Sequence, residues 1–454
     1  MAKKSTHRAA HFAQDSTSTA GHPAGGVGPG SSKNRPIPTS SQKKPKKALI
    51  VFVVILILGL LGGGAVLFWR HRPVSVTVNG QLRTVFKRST YAQVWDGESI
   101  NVQPGDLVSV SGEVLEADKG NPYSVKVNGL DIPFEQAGTI PVWGGEKIEF
   151  GDGANAFEPY TTEVVDMEPK LEYRVSPGTG EKGYMVQQGV VQYVTQWGKK
   201  GRQEVRHGQT TGETAQGNVE QEAQNVIVVA QDIHPDDDQK LVALTFDDGP
   251  GAYTESYLKI LAEQDAKATF CVIGDQLADS GTWAANAAAA GHQVISHSWS
   301  HLQLTSLDAE AMKHEVADTA AEIGKYTGVE TRFIRPPYGD IDEQVWLKSQ
   351  AAMSVSLFWT HDSLDWEKPG VERIVQNCTN YMWPGSVILM HDAGGDRSQD
   401  LDALPQIISK WKEAGYRFVT IQELMESDSS IKMDVVKAGP MPADAAWPTE
   451  LAGK

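Results

Sequence analysis

Apolar and polar positions change rhythm several times along the 454 residues of this chain. Residues 1–47 are rich in Ser, Thr, Gly, Pro and Lys and lack apolar periodicity, which predicts a disordered tail. An uncharged apolar run follows from Ala48 to Trp69. As a helix it would extend about 33 Å, the depth of a bilayer core, so a transmembrane helix is expected over 48–69. Over 74–170 apolar and polar residues alternate around Asn79-Gly80 and Asn128-Gly129, the strongest short-range hairpin signal. Residues 171–236 keep β-branched and aromatic runs between Gly-rich breaks and read as a β-rich linking region. From Leu241 the pattern becomes short apolar strands (LVALTF, ATFCVI, HQVIS, RFIR, MSVSLFW, SVILM, RFVTI) alternating with helical stretches such as Asp308–Tyr326 and Leu401–Ala414. That alternation predicts an α/β domain over 240–428 with a mostly parallel sheet, barrel or open. The Pro- and Ala-rich stretch 429–454 is expected to be a disordered tail.

The alternating region is duplicated. VWDGESI at 94–100 recurs as VWGGEKI at 142–148, an offset of 48, and Leu82 and Phe86 recur at the same offset as Leu130 and Phe134. Two similar small β modules in tandem are expected, serving as a spacer or as a wall-glycan contact.

Charge sharpens this division. The formal charge is -16, but residues 1–72 carry 11 bases and one acid, leaving 30 bases and 56 acids beyond them. So acidic a segment excludes nucleic acid as a partner. Lys43, Lys44, Lys46 and Lys47 precede the apolar run and predict a cytoplasmic N-terminus, with everything after Trp69 outside the cell. A cleaved signal peptide with Gly62–Ala65 as its small-residue site is the rival, and it too places the bulk outside. The two cysteines, Cys271 and Cys378, both fall in apolar stretches and are expected as buried thiols.

Five polar clusters follow five of the strand-like runs. They are Thr245-Phe-Asp-Asp-Gly-Pro250, His297-Ser-Trp-Ser-His301, Arg335-Pro-Pro-Tyr-Gly339, Asp362-Ser-Leu-Asp-Trp366 and Leu389-Met-His391. Asp247 and Asp248 are adjacent carboxylates at a strand exit, where both can turn into one pocket. His297 and His301 can approach one cation from consecutive helical turns and, with one carboxylate, form a two-histidine site. Arg335 can fix a carboxylate, and His391 is a third histidine at a strand end. Each cluster alone also fits a solvated loop. Together, at successive strand ends, they are how one site is assembled at a barrel mouth. No G-x-S-x-G elbow supports a serine nucleophile.

These five motifs, in this order over residues 241–425, resemble those of the polysaccharide deacetylases, carbohydrate esterase family 4. The resemblance implies a distorted (β/α) barrel and a hydrolase that removes N-acetyl groups. It implies that Asp248, His297 and His301 hold one divalent metal ion, Zn²⁺ first, with Co²⁺ or Mn²⁺ as alternatives. Asp247 would be the general base, paired with Arg335, and His391 the general acid, tuned by Asp365 with Asp362 as fallback. Tyr338 would offer its backbone N–H to the oxyanion, while Trp366 and Leu389 would line the slot for the acetyl methyl. Cys271 departs from the larger apolar residue expected in its strand, a difference assigned to packing. With the predicted anchor, the expected substrate is cell-wall polysaccharide, namely the N-acetylglucosamine or N-acetylmuramic acid of peptidoglycan. The alternatives are an O-deacetylase on xylan-like polymers and a catalytically silent wall-binding protein.

Overall fold

A computed structural model describes residues 54–58, 68–69, 71–180 and 189–453. The expected tail 1–47 and most of the expected transmembrane run 48–69 lie outside these residues. Among the described residues no helix is long and apolar enough to cross a membrane.

The Asn-Gly signals make hairpins. Pro73–Val78 pairs with Gln81–Phe86, and Ser124–Val127 with Leu130–Ile132. Both turns take left-handed φ at Asn and Gly, 44° and 80° in the first and 51° and 85° in the second, as a type I′ turn requires. The repeats are not two modules, however. Lys147–Gly151 of the second repeat pairs in parallel with Pro73–Val78 of the first and antiparallel with Ser124–Val127. One five-stranded sheet results. A single core joins Val76, Val78 and Val94 to Val125, Ile148 and Phe150, with Trp95 stacked on Tyr123 at 4.4 Å. Half a sheet of this length buries too little apolar surface alone, so the repeats share one.

The catalytic-side strands are β1 (Leu241–Gly249), β2 (Thr269–Val272), β3 (Gln293–Ser296), β4 (Phe333–Ile334), β5 (Val355–Leu357), β6 (His361–Asp362), β7 (Ser386–His391) and β8 (Arg417–Val419). β1 through β5 pair in parallel in sequence order, while β7 and β8 also pair with β1 and β6 pairs with β7. Ladders therefore run from β5 through β1 to β6. Among the described residues no ladder joins β5 to β6, so the expected barrel is open between them. Alternation along β1 sets its two faces. Val242, Leu244 and Phe246 pack under the helices with Leu277 and Trp411. Leu241 and Ala243 point inward with Cys271, Ile295, Val355, Leu357 and Val387. Cys271 and Cys378 are both buried free thiols.

Two further expectations need correction. Residues 171–236 are not simply a linking region. Val191–Gln196 pairs antiparallel with β5, and Val226–Gln231 and Leu171–Val175 extend the same sheet outward. Residues 429–453 are not a solvated tail. Ile431, Met433 and Val436 are buried against the barrel floor. Trp447 donates its indole N–H to the Leu347 carbonyl at 2.8 Å and packs against Trp197, ring centres 6.1 Å apart. Pro and Ala hide this anchoring because the large apolar residues are sparse and follow no period.

Trp447→Ala should therefore lower the unfolding free energy of the catalytic domain by about 2 kcal/mol, as expected for losing a half-buried indole and its hydrogen bond. Leu130→Ala, at an exposed site, should leave it unchanged. Denaturant titration checks both, and a parental midpoint for Trp447→Ala would mean the segment packs on nothing.

Candidate active site

The inward face of β1 is apolar at Leu241 and Ala243 and polar at Thr245 and Asp247, so polarity begins where the strand reaches the barrel mouth. Strict alternation would send Asp248 to the other face. Instead its φ is 68°, and the β1–β2 register shifts between Phe246 and Gly249. This bulge turns both carboxylates into one cleft. Gly249 is required by close approach, because an added Cβ would lie 2.5 Å from Asp392 Oδ1.

The segment after β3 is not the helix from which paired histidines were expected. It is a loop folded back by left-handed residues, Ser298 at φ 67° and His301 at 60°. That fold brings the rings together, centres 4.9 Å apart. His297 Nε2 and His301 Nε2 lie 3.6 and 3.4 Å from Asp248 Oδ1. One ligand atom from each of the three residues falls within 4.8 Å of the others. His297 donates Nδ1–H to the Arg335 carbonyl at 2.7 Å, which leaves the Nε2 lone pair facing the cluster. His301 Nδ1 is 3.1 Å from the Tyr338 hydroxyl. Burial pushes His297 below the usual histidine pKa, so it is neutral near pH 7. A carboxylate and two imidazoles presented this way suit a borderline cation such as Zn²⁺ or Co²⁺.

Arg335, at the end of β4, is fully buried. Its Nη1 donates to Asp247 Oδ1 at 2.8 Å and to Thr245 Oγ1 at 2.7 Å, and Nη2 donates to the Phe358 carbonyl at 3.1 Å. Burial pushes the Asp247 carboxyl upward, but the charges of Arg335 first and of His391 hold it net below the ordinary carboxylate value. Cys271 lies in the inward apolar core, as a packing role requires.

On the far wall, His391 Nδ1 is 2.6 Å from Asp365 Oδ1, and the His391 backbone N–H donates to Asp365 Oδ2 at 2.8 Å. Asp365, fully buried, is thus the partner rather than Asp362, which lines the cleft. Burial alone would push the imidazole down. The hydrogen bond and charge of Asp365, with Asp247 and Asp248 across the cleft, raise it to about 9.

These groups share one cleft of about 440 Å³. Leu389 and the exposed Trp366 and Tyr338 also line it, so all the predicted site residues meet there or directly behind its wall. Residues unforeseen from the sequence are Trp359 in the lining and, behind His391, the buried Arg397 and Asp400. Arg397 Nη1 lies 3.4 Å from Asp400 and 3.9 Å from Asp365. Trp359 ends a strand run, and neither Arg397 nor Asp400 belongs to any of the five clusters.

Fold and cleft define the class: an α/β domain whose polar groups gather at the C-terminal ends of parallel strands, with a two-histidine, one-carboxylate cluster at their centre. Residues 234–355 match the polysaccharide deacetylase family. A peptidoglycan-N-acetylglucosamine deacetylase of Bacillus cereus is 35% identical over 190 residues, 41% of this chain and 89% of that protein. A peptidoglycan-N-acetylmuramic acid deacetylase of Bacillus subtilis is 36% identical over 202 residues, 44% of this chain and 42% of that one. A bifunctional xylanase/deacetylase of Pseudobutyrivibrio xylanivorans is 34% identical over 192 residues, 41% of this chain and 31% of that one. The chain belongs to the polysaccharide deacetylase family.

Removing the Asp365 charge should lower the His391 pKa by about 1–3 units from its value of about 9. An NMR titration of the ring in metal-free Asp365→Asn checks this, and an unchanged midpoint would assign the elevation to another group.

Proposed function

We propose that this protein is a cation-dependent N-deacetylase of cell-wall peptidoglycan, acting on its N-acetylglucosamine or N-acetylmuramic acid, with residues 48–69 tethering it to the outer face of a membrane. The observation that carries the reading is the order of groups in one cleft: a cluster fit for a cation, flanked by a carboxylate held ionised and an imidazole held protonated. Asp248, His297 and His301 would hold the cation, which supplies Lewis acidity toward the acetyl carbonyl and the attacking water. Asp247, with Oδ1 occupied by Arg335, takes a proton from that water as its oxygen bonds to the carbonyl carbon. Tyr338 offers a backbone N–H to the oxyanion. His391 passes its Nε2 proton to the sugar nitrogen as the carbon–nitrogen bond breaks, leaving acetate and an amine. Asp365 keeps Nδ1 engaged, so Nε2 is the nitrogen that faces substrate. Leu389 and Trp366 narrow the cleft around the methyl, and exposed aromatic faces at its rim suit sugar rings.

The substrate assignment is supported by the relatives that act on peptidoglycan and by the apolar run beside four lysines, which suits an enzyme working on polymer near the membrane. The xylanase/deacetylase relative makes acetylated xylan the comparison to run. Acetate release should be greatest on peptidoglycan when that polymer, chitin oligomers and acetylated xylan are measured side by side. A preference for xylan would favour an O-deacetylase. Chelation should abolish activity, with Zn²⁺ or Co²⁺ restoring it, and full activity in metal-free protein would refute cation dependence. Asp247→Asn should retain the metal and lose on the order of 100-fold or more in turnover. Loss of metal instead would exchange the roles of Asp247 and Asp248.

The pH profile follows from the same groups. Asp247 is ionised above its depressed pKa, giving the acid limb. His391 is protonated below its raised pKa, so activity falls as pH rises through it. The bound cation lowers that value, placing the alkaline limb at or below about 9. In intact cells, external protease should remove epitopes near residue 450 and spare those near residue 20, and the reverse would overturn the orientation.

A further inference from the structure

The histidine loop is clamped from both sides. Its Ser298 and Trp299 carbonyls accept from the backbone N–H groups of Gly274 and Asp275, where the helix Gly274–Ala289 begins. Its Trp299 and Ser300 N–H groups both donate to Glu315 Oε2 at 2.9 Å, and the Ser300 hydroxyl donates to Oε1 at 2.6 Å. Glu315 is 2% exposed and forms no ion pair among the described residues. A buried carboxylate without a cationic partner is a poor device for general stability. Here the bonds to it come from Trp299 and Ser300, two of the three residues between His297 and His301.

The helix that carries Glu315 is altered at that point. The helix Ala309–Lys313 passes into a π-helical turn over His314–Asp318 before the helix Thr319–Thr327 resumes. The wider turn accommodates the carboxylate on the loop side while Met312, Val316 and Ile323 stay in the apolar core. The clamp has strain to hold, since left-handed φ at Ser298 and His301 is disfavoured for residues with a Cβ. Gly274 lets the loop sit this close, as an added Cβ would lie 2.6 Å from the Trp299 ring.

The geometry points to Glu315 as a positioning residue for the metal centre: by holding the Trp299 and Ser300 amides, it sets the distance between His297 and His301 and so the affinity of their cation. This rests on the reading of Asp248, His297 and His301 as a metal site. The test is Co²⁺ binding to the full chain, by chelator competition and by the visible absorption of the bound ion, for the parent, Glu315→Ala, Glu315→Gln, Ser300→Ala and Asp318→Asn. Glu315→Ala should weaken Co²⁺ binding on the order of 10–100-fold and shift the absorption band. Glu315→Gln, which keeps one acceptor oxygen, and Ser300→Ala should fall between it and the parent. Asp318→Asn, at an exposed site on the same turn, should match the parent. Thermal unfolding of the metal-free forms separates a structural effect. Altered melting with unchanged Co²⁺ affinity and spectrum overturns the inference, as does parental affinity in Glu315→Ala. Should Glu315→Ala not fold, parental binding by both Glu315→Gln and Ser300→Ala overturns it equally. A parent that binds no Co²⁺ defeats the metal site itself, and this inference with it.

Discussion

Arg335 carries its charge with no solvent exposure, and much of the cleft hangs on how that charge is satisfied. Its guanidinium spans the barrel interior from Thr245 and Asp247 on β1 to the Phe358 carbonyl just beyond β5. Its own carbonyl fixes the tautomer of His297. One residue thus holds the proposed base by its side chain and a proposed metal ligand by its backbone. Buried ion pairs contribute little net stability, but removing one partner is costly because the other charge is stranded. The arrangement is better understood as fixing geometry and the ionisation of Asp247 than as holding the fold together.

The opposite wall repeats this logic with the signs exchanged. There a buried carboxylate, Asp365, holds an imidazole, and Arg397 and Asp400 lie behind it. Burial raises both Asp392 and Asp400 to about 7, which reduces the negative charge that would otherwise accumulate beside Asp247, Asp248 and Asp365. The cleft therefore presents an acceptor and a donor of protons on either side of the cation cluster. Leu389 and Trp366 line the intervening space.

What was legible in the sequence was local. Strand runs ending in polar residues placed Asp247, Arg335 and His391 at the mouth, and Asn-Gly placed both hairpins, because each signal lies within a few residues of its effect. The failures were non-local. Histidines four apart suggested a helix, yet Ser298 and His301 take left-handed backbone, held by Glu315 and Gly274 from distant segments. Duplicated motifs suggested two modules, yet Lys147–Gly151 completes a sheet with the first repeat. Glu315 and Asp400 are charged residues on helices, where sequence predicts solvent, and Arg397 sits just before the helix that carries Asp400. Nothing within a turn of Trp447 or Val436 reveals the surface each will cover.

All of these buried charges converge on Asp248, His297 and His301, read as one cation site. X-ray absorption at the Zn or Co edge of the loaded protein tests it most directly. The expected spectrum has nitrogen and oxygen bonded at about 2.0–2.2 Å, with outer-shell scattering from two imidazole rings. A spectrum without imidazole scattering, or one dominated by sulfur, would contradict it.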